Sequence, residues 1–106
     1  MRVGVIGGTE KNLTRFEEVA EAGGCEVEFH DGRMAGRGSE SLDTLLSRCD
    51  VIVIITRINS HAAVQRAQKF CRRHGRKVLI VRRFGLHQLA HIAQEANALR
   101  ADSSAA

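Results

Sequence analysis

The stretch that most constrains this chain is VIVII at positions 51–55, which contains no polar side chain. Successive side chains of a β-strand point to opposite faces of its sheet, so an entirely apolar strand has to be covered on both faces. The middle of a parallel sheet, with helices packed on either side, usually provides this cover. The run therefore predicts an α/β fold with residues 51–55 at the centre of the sheet.

Segments typical of strands and of helices alternate along the rest of the chain. Three further β-forming runs lie at 2–8, 25–29 and 77–81. Each strand is followed by apolar residues at helical spacing, and Ser39 or Ser41 is placed to cap the second helix. Four strand–helix repeats indicate a small open parallel sheet with helices on both faces.

We expect the two most apolar strands, the first and the third, to lie side by side, with the second and the fourth outside them. The spatial order is then 2-1-3-4, as in Rossmann-like or flavodoxin-like domains, and the connections diverge between strands one and three. The length of 106 residues suits a single domain. We assign residues 1–100 to this α/β domain and residues 101–106 to a frayed C-terminal tail.

Composition narrows the classes of partner. The formal net charge is +4, which is compatible with an anionic partner. The Lys and Arg residues are scattered, however, and the chain has four Phe but no Tyr or Trp. Single-strand readers usually present aromatic rings on which bases stack, and the sequence shows no such surface. We therefore disfavour nucleic acid as a partner.

Cysteine usage and hydropathy bear on location. The three widely spaced cysteines contain no CxxC pair, so neither a zinc ribbon nor a thioredoxin-type motif is present. No apolar run approaches the roughly 18 residues that a membrane span requires, and the N-terminus lacks the pattern of a signal peptide. We therefore expect a cytoplasmic protein with no membrane partner.

Polar, glycine and basic residues follow each of the four predicted strands. In open parallel sheets, ligands bind beyond the carboxyl ends of the strands, where the connections diverge. The candidate ligand-binding residues at these ends are Gly7, Gly8, Thr9, His30, Asp31, Gly32, Thr56, Asn59, Ser60, His61, Arg82 and Arg83. Their convergence predicts a binding site at the carboxyl edge of the sheet.

Each of these motifs also has a purely structural interpretation. The glycines after the first strand match neither a dinucleotide fingerprint nor a phosphate loop, and they can serve a turn alone. Backbone N–H groups exposed there could nevertheless bind an anion. Asp31-Gly32 is a common turn pair, and Asn59 or Ser60 is placed to cap the third helix. A binding role and a structural role both remain open.

His61 is the candidate with the widest chemical scope. It falls in the first turn of the third helix, where the helix dipole disfavours a protonated imidazole. A neutral imidazole can bind haem iron or a divalent metal, and nearby arginines could pair with haem propionates. We name His61 and His30 as candidate metal ligands. His87 and His91 share one face of the last helix, where a solvated or subunit-contact face is the preferred interpretation.

Four features taken together resemble a known family. They are a first strand that ends in glycines, HDG at 30–32, SH at 60–61 after the apolar third strand, and KVLIVRR at 77–83. They resemble a bacterial family catalogued as domain of unknown function 2325, over roughly residues 2–93. The resemblance implies the fold and the site position, and no function. Relatives with an acidic residue and a cysteine before the serine–histidine pair differ from this chain, which has Arg57 and Ile58 there.

These observations favour a small non-enzymatic ligand-binding or sensor domain that holds an anionic small molecule at the carboxyl edge. The alternative is a haem- or metal-binding protein that uses His61 or His30 as a ligand. An enzyme that pairs His61 with Asp31 ranks third, because it lacks a convincing nucleophile. The hydroxyl next to His61 belongs to Ser60, which is expected to cap the third helix. A four-stranded sheet has two open edges, and we expect a homodimer through the fourth strand.

Overall fold

The computed structural model describes residues 1–7, 13–32, 34, 36–56 and 61–105, with side chains described as far as residue 95. Strands and helices alternate four times. The elements are β1 (Arg2–Ile6), α1 (Leu13–Ala22), β2 (Glu26–His30), α2 (Gly38–Arg48), β3 (Val51–Ile55), α3 (His61–His74), β4 (Lys77–Val81) and α4 (Leu86–Ala105). The predicted alternation is confirmed.

The four strands form one parallel sheet in the order β2-β1-β3-β4, as predicted. All five residues of β3 are buried. β2 and β4 form the outer edges, and their residues are more exposed than those of β1 and β3. The apolar run at 51–55 therefore lies in the interior of the sheet, covered on both faces.

The helices cover the sheet in two pairs. α1 and α4 pack on one face, where Phe16 and Leu89 contact β3 through Val53. α2 and α3 pack on the other face, where Leu46 and Ala67 join the neighbouring β3 residues. Because α1 and α3 begin at the same edge and pack on opposite faces, the chain diverges between β1 and β3. This divergence is the switch point at which α/β sheets bind ligands.

Gly4 allows α2 to lie close against β1. A Cβ atom at position 4 would stand 2.6 Å from Leu45 Cδ2 and 2.9 Å from Cys49 Sγ. Contacts this short are not tolerated, so the side chains of Leu45 and Cys49 would have to shift to admit any larger residue. The missing side chain thus determines how closely the second helix packs on the centre of the sheet.

Two expectations differ from the structure in detail. β2 extends to His30, one residue further than the sequence indicated. The N-cap of α2 is Arg37, which makes no side-chain capping bond, so the capping role expected of Ser39 or Ser41 is wrong. The Ser41 hydroxyl instead donates to the carbonyl oxygens of Arg37 and Gly38, at 3.2 and 3.1 Å, from inside the helix.

Helix α4 continues to Ala105, through most of the segment expected to be a tail. A terminal helical turn can still fray in solution, so the predicted fraying at 101–106 stays a prediction. Across the described residues, no helix combines the length and the hydropathy that crossing a membrane requires.

Candidate functional site

The carboxyl edge of the sheet brings together residues that follow three neighbouring strands. Ile6, Ile54 and Ile80 lie in register across β1, β3 and β4. Neighbouring strands are about 4.8 Å apart, so Gly7 and the residues after β3 and β4 lie along one line at the edge. The N–H of Thr56 donates to the carbonyl oxygen of Val81 at 2.9 Å, which carries the pairing one residue past β3.

Gly7 closes the end of β1 in a conformation that favours glycine. Its φ angle is +95°, and its N–H donates to the carbonyl oxygen of His30 at 2.7 Å. A residue with a Cβ rarely adopts this φ angle. The turn therefore holds the ends of β1 and β2 together at the point where the loop towards α1 begins.

His30 is a buried polar residue, with 8% of its surface exposed. The N–H of Gly32 donates to its Nδ1 at 2.9 Å, so Nδ1 acts as the acceptor and Nε2 carries the hydrogen. Nε2 lies 3.0 Å from the carbonyl oxygen of Gly38 and 3.2 Å from Ser41 Oγ. The imidazole thus joins the end of β2 to the beginning of α2, and a metal ion could bind it only by replacing one of these bonds.

Asp31 lies next to this imidazole without a direct hydrogen bond to it. Its Oδ1 is 3.8 Å from His30 Nδ1, which is longer than a hydrogen bond, and 63% of the side chain is exposed. Gly32 is buried and has a φ angle of +87°. The HDG motif therefore forms the turn that sequence reasoning allowed for, with the carboxylate of Asp31 directed towards solvent.

His61 begins α3 and is exposed. Its Nε2 lies 3.0 Å from Gln65 Nε2, one helical turn later. Because an amide nitrogen only donates, the imidazole Nε2 accepts this bond. This bond to an exposed side chain is easily exchanged for another partner, and His61 is exposed whereas His30 is buried, so His61 is more accessible to a ligand.

Arg82 and Arg83 follow β4 and are exposed. Within the part of the chain that the structure describes, neither guanidinium forms an ion pair. Phe84, directly after them, stacks on Phe16 of α1, with ring centroids 6.0 Å apart. The stack anchors the segment and keeps the two arginines at the rim of the sheet.

Gln88 is a residue of this edge that sequence reasoning missed. Its Oε1 accepts the N–H of Gly85 at 2.5 Å, and its Nε2 donates to the carbonyl oxygen of Arg83 at 2.8 Å. A Gln at the third helical position that reaches back to the cap residue is half of a capping box. The spacing from Gly85 to Gln88 could have indicated it.

Four of the predicted site residues, Gly8, Thr9, Asn59 and Ser60, lie outside the described residues, as does Arg33. The remaining eight all lie at the carboxyl edge, two of them in the turn stabilised by His30. His87 and His91 are exposed on α4, and His91 Nε2 lies 3.2 Å from Glu95 Oε1. Among the residues that the structure describes, no group of three or more His, Cys, Asp or Glu could hold a metal ion.

The opposite, amino edge of the sheet has different chemistry. Arg2 pairs with Glu26 and Glu28, and Arg48 pairs with Glu28 at 2.5 Å. The Cys49 thiol, fully buried, donates to Glu28 Oε2 at 3.6 Å, and burial together with this carboxylate raises its pKa to about 12. An open groove of about 730 Å³ lies here, between α1, β2 and the N-terminal residues. Two of its lining residues, Arg2 and Glu26, pair with each other, and Arg48 pairs with Glu28, so its size alone does not indicate a site.

Comparison with known proteins places the chain among bacterial sequences. A family model described as "Uncharacterized protein conserved in bacteria (DUF2325)" matches residues 2–96. No solved structure matches the chain significantly.

Relatives named UPF0751 protein occur in several bacteria. One from Bacillus anthracis (strain CDC 684) is 30% identical over 81 residues, which is 76% of this chain and 80% of the relative. One from Bacillus cereus (strain AH820) is 28% identical over the same shares. One from Desulfitobacterium hafniense (strain Y51) is 24% identical over 90 residues, 84% of this chain and 88% of the relative. The similarity thus extends across nearly the whole fold, and these names state no activity.

Proposed function

The chain belongs to the bacterial DUF2325 family, and we propose that it is a small non-enzymatic domain that binds an anionic small molecule at the carboxyl edge of its sheet. Such a domain would act as a ligand carrier or sensor. Its ligand would lie between the connections that leave β1 and β3, within reach of Arg82, Arg83 and His61.

The observation that carries this proposal is the pair of arginines after β4. Arg82 and Arg83 are exposed and form no ion pair with any described residue. An anion at this edge could accept charge-assisted hydrogen bonds from these guanidiniums, which the described residues leave without a counter-charge. Their segment is fixed by the Phe84 stack and by Gln88, so little ordering would be needed on binding.

The direction of the helices adds a second favourable contribution. All four helices follow strands of one parallel sheet, so their N-termini point towards the carboxyl edge. The N-terminal end of a helix carries a partial positive charge and N–H groups that can donate to an anion. Negative charge is therefore favoured at this edge both by Arg82 and Arg83 and by the N-terminal ends of α3 and α4.

The described chemistry favours binding over catalysis. Cys25, Cys49 and Cys71 are all buried thiols, and the pKa values of Cys49 and Cys71 are raised by burial. The imidazole of His30 is committed to Gly32 and Gly38, so it is poorly placed to act as a base. Buried free thiols also fit our expectation of a reducing, cytoplasmic setting.

The test is calorimetric titration with inorganic phosphate and with pyrophosphate, against sodium chloride at equal ionic strength. We expect the wild-type chain to bind pyrophosphate, and the Arg82→Ala/Arg83→Ala double variant to bind at least tenfold more weakly. Lys77→Ala is the matched control, because it removes an exposed cation from the opposite end of the same strand. If the wild-type protein and the double variant bind pyrophosphate equally well, the proposal is wrong.

A second candidate, haem or divalent-metal binding through His61, is favoured by the accessibility of that imidazole. Among the described residues, Gln65 is the hydrogen-bond partner of its Nε2, and Arg82 and Arg83 could pair with haem propionates. Titration of the protein with hemin should produce a Soret shift in the wild type that His61→Ala loses and His74→Ala retains. An identical spectrum for wild type and His61→Ala would remove this candidate.

We also propose that two copies pair through β4. This strand is an outer edge of the sheet, and Ile80 exposes 51% of its surface there. An apolar edge strand with open backbone groups favours pairing with another strand. Light scattering at micromolar concentration should give a dimer mass, and Ile80→Lys should give the monomer. A wild-type monomer under these conditions contradicts the proposal.

A further inference from the structure

We propose that the outer flank of α3 binds single-stranded nucleic acid, through three exposed cations and an imidazole on which a base can stack. The surface consists of Lys69, Phe70, Arg72, Arg73 and His74, and we call it the α3 basic face. It occupies the C-terminal half of α3 and therefore lies towards the amino edge of the sheet. It is separate from the anion site proposed above and does not depend on it.

The first observation concerns the charges of α3. The helix contains no acidic residue. Arg66 is compensated, because its guanidinium makes two hydrogen bonds of 2.7 and 2.6 Å to Asp43 of α2, which lower the pKa of that carboxyl. Lys69, Arg72 and Arg73 are exposed and form no ion pair within the described part of the chain. A chain of phosphates would neutralise these three cations.

The helix dipole explains the position of some of these cations but not of all three. Arg72 and Arg73 lie in the last turn of α3, where positive charge is stabilised by the helix dipole. Lys69 lies one turn earlier, and the dipole effect is confined to the last turn. The extent of the positive surface therefore exceeds what the end of the helix requires.

The second observation is an aromatic pair in the middle of this positive surface. The rings of Phe70 and His74 lie 4.2 Å apart, with an interplanar angle of 32°. Phe70 is half-buried and packs on the core beneath α3, whereas His74 is exposed. One face of the imidazole therefore rests on Phe70, and the other is available for a base to stack. The sequence had indicated no surface on which bases could stack, because aromatic residues are few. The pairing of these two rings, one helical turn apart, was not considered.

The third observation is a groove that joins the ring pair to two of the three cations, Lys69 and Arg73. A cavity of about 280 Å³ between α2 and α3 is lined by Asp43, Arg66, Lys69, Phe70, Arg73 and His74. Cations that follow a groove next to an aromatic ring are the arrangement by which proteins hold single strands without sequence preference. A double helix keeps its base faces stacked, and an acidic peptide has no base to stack. The combination therefore favours a single strand over either of these.

The test is fluorescence anisotropy with a labelled 12-nucleotide thymidine strand. With three phosphates neutralised, the slope of log affinity against log salt is about −2, so affinity should fall roughly 20-fold between 50 and 200 mM NaCl. Arg73→Ala should weaken binding and reduce the slope by about 0.7. His74→Ala should weaken binding roughly tenfold and leave the slope unchanged, because stacking releases no counterions. The different responses of the two variants separate a stacked base from charge attraction alone.

Two controls complete the experiment. Arg15→Ala, which removes an exposed cation from α1 on the other face of the sheet, should bind the strand as the wild type does, and circular dichroism should show that each variant keeps its helical content. The proposal is overturned if the strand does not bind at 50 mM NaCl, if His74→Ala binds normally, or if poly-glutamate competes as well as the unlabelled strand. Binding of thymidine monophosphate to the Arg82→Ala/Arg83→Ala variant with the same affinity as the strand would also overturn it, since a single nucleotide would then suffice.

Discussion

The two edges of the sheet are made by the same four strands, yet their charges are arranged in opposite ways. At the amino edge, Arg2 and Arg48 converge on Glu28, and Arg2 also pairs with Glu26. At the carboxyl edge, Arg82 and Arg83 are exposed and form no ion pair with any described residue. At the amino edge the charges of β1, β2 and α2 thus neutralise one another, and the α3 basic face lies apart from them, whereas the arginines of the carboxyl edge carry charge that an external partner can neutralise.

This difference shows that the volume of a groove does not by itself indicate how well it can bind a ligand. The groove of about 730 Å³ at the amino edge is bordered by Arg2 and Glu26, which pair with each other, and by Arg48, which pairs with Glu28. A ligand there would have to compete with existing ion pairs, each of which has already lost part of its hydration. The carboxyl edge offers helix N-termini and arginines that have no such competition among the described residues. The contrast predicts that substitutions among Arg2, Glu28 and Arg48 lower the free energy of unfolding. Substitutions of Arg82 and Arg83 should instead weaken the binding of the anion.

The largest effect is expected from Gly4→Ala, which disturbs the packing of α2 above the amino half of the sheet. The new Cβ would overlap Leu45 and Cys49, so we expect a loss of about 1–3 kcal/mol in the free energy of unfolding. Urea denaturation followed by circular dichroism measures it. Gly75→Ala serves as a comparison, because the position has open space and only its φ of +65° opposes a side chain. An unchanged midpoint for Gly4→Ala would show that α2 does not pack this closely.

A smaller loss is expected from Glu28→Gln, which removes the charge shared by Arg2 and Arg48. Only 24% of the Glu28 side chain is exposed, so its ion pairs are partly shielded from water. We expect about 1–2 kcal/mol of destabilisation. Arg82→Gln, at the other edge, should change stability by less than about 0.5 kcal/mol in the same urea experiment. Equal effects of the two substitutions would abolish the contrast between the edges.

The Cys49 thiol provides a pH test of the amino edge. Burial raises its pKa from 9.0 to about 12, so the folded protein retains a proton that the unfolded chain loses. The associated stability is present below about pH 9 and is lost as the pH rises from 9 through about 12. At pH 10 the loss is about 1 kcal/mol relative to pH 8. The decline should be smaller in Cys49→Ala, measured by urea denaturation at each pH, and a parallel decline would assign it to other groups.

The smallest effect is expected at Asp43, which lies away from both edges. Its hydrogen bonds to Arg66 lower its pKa from 3.8, so the pair stabilises the fold above that pH and loses its effect as the pH falls below it. Nearly half of each side chain is exposed, and exposed pairs contribute about 0–1 kcal/mol. Asp43→Asn should therefore cost less than about 0.5 kcal/mol at pH 7, and less at pH 2 than at pH 7, by thermal unfolding. A loss above 1 kcal/mol would show that the pair anchors α2 to α3.

Much of the fold could be predicted because it depends on local pattern. The apolar run at 51–55 required cover on both faces, and the helical spacing of residues such as Leu42 and Leu46 showed which face of α2 is buried. The position of the site followed from the strand order, since parallel strands end at one edge. The family resemblance was likewise visible in short motifs and extends over residues 2–96.

The roles of individual site residues could not be predicted in the same way. His30 was considered as a ligand, but its ring nitrogens bond Gly32, which is near in sequence, and Gly38, which lies eight residues away beyond a loop. A contact between His74 and Phe70 could have been predicted from their spacing of four residues. Only the structure shows that Phe70 packs on the core and supports the exposed ring of His74. Which nitrogen is occupied and which ring face is covered depends on how elements pack, and packing is not local.

The sequence by itself determined the order of strands and helices, the central place of β3 and the edge at which polar residues collect. These properties follow from side-chain periodicity and from the need to bury apolar surface, both of which operate within short segments. Only the tertiary structure decided which charges compensate each other, because Arg2 and Glu28 are separated by 26 residues and meet through strand register alone. Register and helix packing thus distinguish the neutralised edge from the one whose arginines stay available to a partner.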